Sequence, residues 1–188
     1  MHRHTPWTSA LLILTVTAVA FGDEGARKFK AFLDGLKEAP AVVSTTGTGT
    51  FTAEISQDGS QIDYELTFRD LEGDVRQAHI HIGHPQNQGG IVLWLCDSAS
   101  NPSPTPDTPD CTVDDPSTTR AGRVTGTLTA ADVQVQAGNG IALGEFEEVV
   151  ALVRAGRTYV NVHSAKFPAG EVRSQIDNRD AGDHGGHR

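Results

Sequence analysis

Histidine is the residue type whose spacing in this chain could do chemistry. In Gln77-Ala78-His79-Ile80-His81-Ile82-Gly83-His84, isoleucines and histidines alternate. On a strand this alternation sends Ile80 and Ile82 into a core and sets His79 and His81 together on the opposite face. Two such histidines stand roughly 7 Å apart at about 3.3 Å per residue, close enough to reach one metal ion. Tyr159-Val160-Asn161-Val162-His163 repeats the pattern, with Val160 and Val162 inward and Tyr159, Asn161 and His163 outward. A last segment places Glu171, Arg173 and Gln175 on one face against Val172 and Ile176. If these three strands are neighbours, His79, His81, His163 and Glu171 converge, and the imidazoles suit a divalent transition metal such as copper or zinc. The competing reading is a polar surface cluster hydrogen-bonded to Asn161 and Glu171. His84, before a turn at 85–90, reads as a solvated loop residue that could swing toward the site. His184 and His187 lie among glycines in a tail that offers no preset geometry.

Other chemistries find little support. No G-x-S-x-G elbow, phosphate loop or dinucleotide fingerprint is present. Ser164 follows His163 directly, and adjacent strand residues point to opposite faces. Asp114-Asp115 and Glu147-Glu148 fall in a loop and in a helix's first turn, where acids are ordinary. Four lysines among 15 basic residues, without a basic run and at net charge −9, exclude a nucleic-acid groove, which needs clustered positive charge.

The elements that position these residues are mostly short strands. Phe29, Ala31 and Leu33 alternate with polar or exposed neighbours, as do Phe51, Ala53 and Ile55. Ile62, Tyr64, Leu66 and Phe68 interleave with Asp63, Glu65, Thr67 and Arg69, a period of two over eight residues. Asp58-Gly59 between these runs suggests a tight hairpin turn. Ile91-Val92-Leu93-Trp94-Leu95, apolar on both faces, predicts a central, doubly covered strand. Val124 and Leu128 mark another. Phe146, Val149, Val150 and Val153 at i, i+3, i+4 and i+7 predict one short helix, with acids in its first turn and Arg154 and Gly156 closing it. Seven to nine strands and one helix make an all-β domain, a Greek-key β-sandwich or barrel of immunoglobulin-like or superoxide-dismutase-like kind.

Residues 1–22 read as a cleaved export signal. His2, Arg3 and His4 precede an apolar stretch over 10–21 and small residues that offer cleavage after Ala20 or Gly22. The mature charge then becomes −10, since one arginine and no acid is lost. Cys96 and Cys111 flank 14 residues containing four prolines and predict a disulfide that staples a loop, as an oxidising compartment allows. The domain is expected over 23–177, with a polar, Gly-rich disordered tail over 178–188 that begins near Asp177. The product is secreted or periplasmic, without a retained membrane span.

Several blocks resemble the signatures of the chordin-type (CHRD) domain: Phe32-Leu33-Asp34-Gly35 with Glu38-Ala39-Pro40, Ala78-His79-Ile80-His81-Ile82-Gly83, Gly89-Gly90-Ile91-Val92, Tyr159-Val160-Asn161-Val162-His163-Ser164, and Pro168-Ala169-Gly170-Glu171-Val172-Arg173-Ser174-Gln175-Ile176. Order and spacing match from about Phe29 to Ile176. Ser164 stands where threonine is usual, and Ser174 where glycine often is. The resemblance implies an extracellular β-sandwich module and leaves the ligand or protein partner open; chordin's growth-factor antagonism does not transfer to a stand-alone copy. The His79–His81 strand also resembles the H-x-H strand that holds copper in copper–zinc superoxide dismutases, although no zinc loop is evident and an acidic chain repels an anionic substrate. The expectation is therefore a non-catalytic binding module whose histidine patch grips either a divalent transition metal ion, with His79, His81 and His163 as ligands, or a polar ligand. Asn161, Glu171, Arg173, His84 and Tyr159 would be supporting contacts. A copper-dependent redox enzyme and a purely structural envelope protein are the alternatives.

Overall fold

The computed structural model describes residues 25–112 and 119–178. The expected export signal, Asp114-Asp115 and the tail from 179 onward lie outside the described residues. Nine strands occur in chain order: β1 (Lys28–Asp34), β2 (Thr48–Ile55), β3 (Ile62–Arg69), β4 (Val75–Ile82), β5 (Ile91–Cys96), β6 (Gly122–Leu128), β7 (Thr158–Ser164), β8 (Val172–Gln175) and β9 (Asp177–Asn178). They form one antiparallel sheet in the order β5-β4-β7-β8-β1-β2-β3-β6, with β9 added to β1, and the sheet curls into a nearly closed barrel. The single helix α1 (Phe146–Arg154) buries Phe146, Val149, Val150 and Val153, the stripe its periodicity predicts. Gly156, at φ 64, ends it in the left-handed conformation that favours glycine.

Strand alternation builds the core. β3 buries Ile62, Tyr64, Leu66 and Phe68 and leaves Asp63 and Arg69 exposed. Its partner β2 contributes Phe51, Ala53 and Ile55. The two strands are joined by six residues, 56–61, rather than by a two-residue turn. Asp58 accepts bonds from Ser56 and Ser60 at the tip, and Gly59 takes φ 72. Cys96 and Cys111 are disulfide-bonded as expected.

Two expectations are corrected. The apolar run of β5 lies at an end of the sheet order, not in its centre. Its second face and edge are covered in two ways: the curling sheet brings Tyr64 Oη to donate to Leu95 O at 2.5 Å, and the segment between β6 and α1 donates Gln134 N to Val92 O and Gln136 Nε2 to Ile91 O. An otherwise open edge is thereby capped. Asp177 and Asn178 are not tail but the short strand β9, paired with Lys30 and Phe29.

Candidate metal centre

Adjacent strands carry the histidines. β7 lies between β4 and β8, with His79 opposite Asn161 and Asn161 opposite Arg173. A metal-capable group of three forms from His79, His81 and His163, with one ligand atom from each lying within 4.8 Å of the others. This polar face is not solvated as its residue types suggest. His79 is 0% exposed and His81 and His163 7% each, while all seven residues of β7 are buried. Loops close over the face through their backbone groups. Gly89 O meets His81 Nδ1 at 2.9 Å, Pro168 O meets His163 Nδ1 at 3.1 Å, and Gly89 N donates to Tyr159 Oη.

These carbonyls fix the tautomers. Each accepts an Nδ1–H, so His81 and His163 carry their lone pairs on Nε2. A histidine that gives its second nitrogen to a carbonyl is the usual arrangement of a metal ligand. His81 Nε2 and His79 Nε2 are buried without a hydrogen-bond partner, a costly state in a dry site. His163 Nε2 faces His79 Nδ1 at 3.3 Å and Asn161 Oδ1 at 3.0 Å. Donors about 2.05 Å from a tetrahedral ion are spaced by roughly 3.3 Å, so this nitrogen pair already has the separation of co-ligands. Asn161 Oδ1 and His163 Nε2 are then two acceptors pointed at one place. Turning the Asn161 amide over would present a donor instead, the form suited to an empty site.

Burial also keeps the imidazoles neutral, as metal ligation requires. Desolvation, reinforced by His163 and His81, pushes His79 down to about 2. Desolvation brings His81 to about 4 against the opposing bond to Gly89, and it lowers His163 as well.

The remaining expected residues take other places. Tyr159 stacks on His81, centroids 4.7 Å apart and planes 3° from parallel, and the Arg173 guanidinium stacks on Tyr159 at 3.4 Å. Arg173 also donates to His84 O and Asn87 O, holding the 83–90 loop in place. The His84 side chain is exposed, so only its backbone serves the site. Glu171, fully buried, does not join the histidines: its Oε1 accepts from Thr45 Oγ1 at 2.6 Å and Glu72 N at 2.7 Å, tying two loops to β8.

Sequence reasoning missed Trp94, whose ring stands perpendicular to His79 with centroids 4.2 Å apart, and whose register places it opposite His79. Its place in an apolar run hid it. The carbonyls of Gly89 and Pro168 have no residue-type signal at all. Glu38 was also missed. It is 7% exposed, and burial pushes its carboxyl up to about 7 against the attraction of Arg173.

No helix among the described residues is long and apolar enough to cross a membrane. No curated protein and no solved structure matches the chain. The family profile of the CHRD domain does match, over residues 29–176, a span that holds all three clustered histidines and β1 to β8 apart from Lys28. The chain belongs to the CHRD domain family.

Proposed function

We propose that this CHRD domain is a non-catalytic, exported metal-binding module that holds one copper or zinc ion through His79, His81 and His163. The observation that carries the reading is the convergence of three buried, neutral imidazoles whose ligand atoms lie within 4.8 Å of one another. Asn161 Oδ1 is the neighbouring oxygen available as a fourth donor. The ion supplies the partner that the Nε2 atom of His81 lacks. Export is supported by the leader-like start of the chain and by the Cys96–Cys111 disulfide, a bond that persists in oxidising compartments. Binding is favoured over turnover because His79 is fully buried and the 83–90 loop is bonded over His81 and Tyr159, which hinders substrate access.

Elemental analysis of protein purified without an added histidine tag, in a His184→Ala/His187→Ala background, tests the reading. One copper or zinc per chain is expected, falling to none in His79→Ala/His163→Ala. A dismutase or oxidase activity above that of free copper would replace the binding reading with the enzymatic one. A folded protein that takes up no ion would leave the histidines as a structural network.

A further inference from the structure

The same site, if it holds metal as proposed above, has a charge environment that discriminates between ions. Every nitrogen in the cluster belongs to a neutral imidazole, and no carboxylate is among the converging ligand atoms. Glu171, the acid immediately before β8, spends Oε1 on Thr45 and Glu72. Next to the site stands a fixed cation. Arg173 lies 3.4 Å above Tyr159, and Tyr159 stacks 4.7 Å from His81. Arg173 is 2% exposed, so bulk water does little to screen it. Glu38 is its buried counter-charge, and burial holds that carboxyl up to about 7, so the arginine is only partly offset at neutral pH.

We infer that the ion this site is built for is monovalent copper, and that Arg173 is the residue that sets this preference. Taking an ion out of water costs more as the square of its charge, and here no anionic ligand offsets it. Arg173 adds repulsion in proportion to the ion's charge. A unit charge roughly 8–10 Å away, at an effective dielectric of about 20, changes affinity about 20-fold per unit of ion charge. Donor type does not choose, since imidazole suits both copper and zinc; the extra positive charge of a divalent ion does. Arg173 touches no ion in this arrangement. It acts through its field and through the position of Tyr159 and the 83–90 loop.

The test is a pair of competition titrations on the full chain, Cu(I) against a chromogenic Cu(I) chelator under reducing conditions and Zn(II) against a zinc indicator. Wild type is expected to bind Cu(I) more tightly than Zn(II). Arg173→Gln should lower the Cu(I)-to-Zn(II) affinity ratio by up to about 20-fold, the value for a full unit charge, and by less where Glu38 offsets it. Arg173→Lys, which keeps the charge but not the stacking or the two Nη2 bonds to His84 O and Asn87 O, should restore most of that ratio. A ratio unchanged in Arg173→Gln, or tighter Zn(II) binding in wild type, overturns the inference while leaving metal binding intact. Binding of neither ion removes the metal reading itself. Should Arg173→Gln fail to fold, Arg173→Met carries the same test of the charge, and a wild type that binds Zn(II) more tightly overturns the inference on its own.

Discussion

Replacing Glu38 with glutamine isolates one buried charge and has a calculable consequence. Glu38 packs beneath Gly170, where φ is 131 and a Cβ would meet Glu38 Oε1 at 2.6 Å, and that oxygen has no hydrogen-bond partner. Its carboxyl rises from the ordinary 4.5 to about 7 because desolvation outweighs the pull of Arg173. The fold thus favours the protonated form. Between pH 4.5 and 7 the folded state binds more protons than the unfolded chain, so this group's contribution falls as pH rises through that window. At 1.36 kcal/mol per pH unit the full penalty, reached above pH 7, is about 3 kcal/mol. Glu38→Gln keeps the shape and removes the charge, so the variant should be more stable than wild type by about 2–3 kcal/mol at pH 8 and by nearly nothing at pH 4.5. Urea unfolding of both proteins in chelator at several pH values measures this. His79 and His81, lowered to about 2 and about 4, slope the other way, their stability being lost as pH falls below 6.5. They are common to both proteins and cancel in the difference. A difference that stays constant from pH 5 to 8 would refute the reasoning.

Three further outcomes follow from other contacts. Cys96→Ser/Cys111→Ser should lower stability by about 3 kcal/mol in urea unfolding, the chain-entropy value for a loop of this length, relative to the oxidised wild type. Tyr64→Phe removes the bond that joins β3 to Leu95 O across the closing seam and should cost about 1 kcal/mol, read from the same unfolding curves. Gly89→Ala would place a Cβ 1.6 Å from Ile82 O, so the loop must move and take Gly89 O away from His81 Nδ1. Loss of such a supporting carbonyl should weaken metal affinity about 10- to 100-fold in a competition titration, with the remaining strands folded by circular dichroism.

Much of this architecture is legible in residue order because it rests on periodicity. The α1 stripe, the β2–β3 pair and the phase of His79, His81, Asn161 and His163 all follow from which face of an element must be apolar. The Cys96–Cys111 pair is similarly local. What the pattern does not carry is the covering of the polar face. Burial of His81 and His163 depends on loops whose contacts are the carbonyls of Gly89 and Pro168, groups every residue possesses. Glu171 has the right phase for the cluster, yet Thr45 and Glu72 from two other loops engage it, and Gly47 lets the Thr45 loop approach, with Glu171 Oε1 only 3.0 Å from where a Cβ at 47 would stand. The β5 run shows why two apolar faces do not distinguish a central strand from an end strand. Curling of the sheet covers the second face as effectively as a neighbouring layer does.

The central claim, one ion held by His79, His81 and His163, is tested most directly through Trp94. With Trp7 replaced by phenylalanine it is the only indole in the chain, and its ring lies 4.2 Å from that of His79. Copper bound at the three nitrogens must quench its fluorescence, with a break at one equivalent. The quenching should vanish in His79→Ala/His163→Ala and persist in His184→Ala/His187→Ala. Fluorescence that copper leaves unchanged, or that it quenches equally in the variant lacking His79 and His163, would contradict the account.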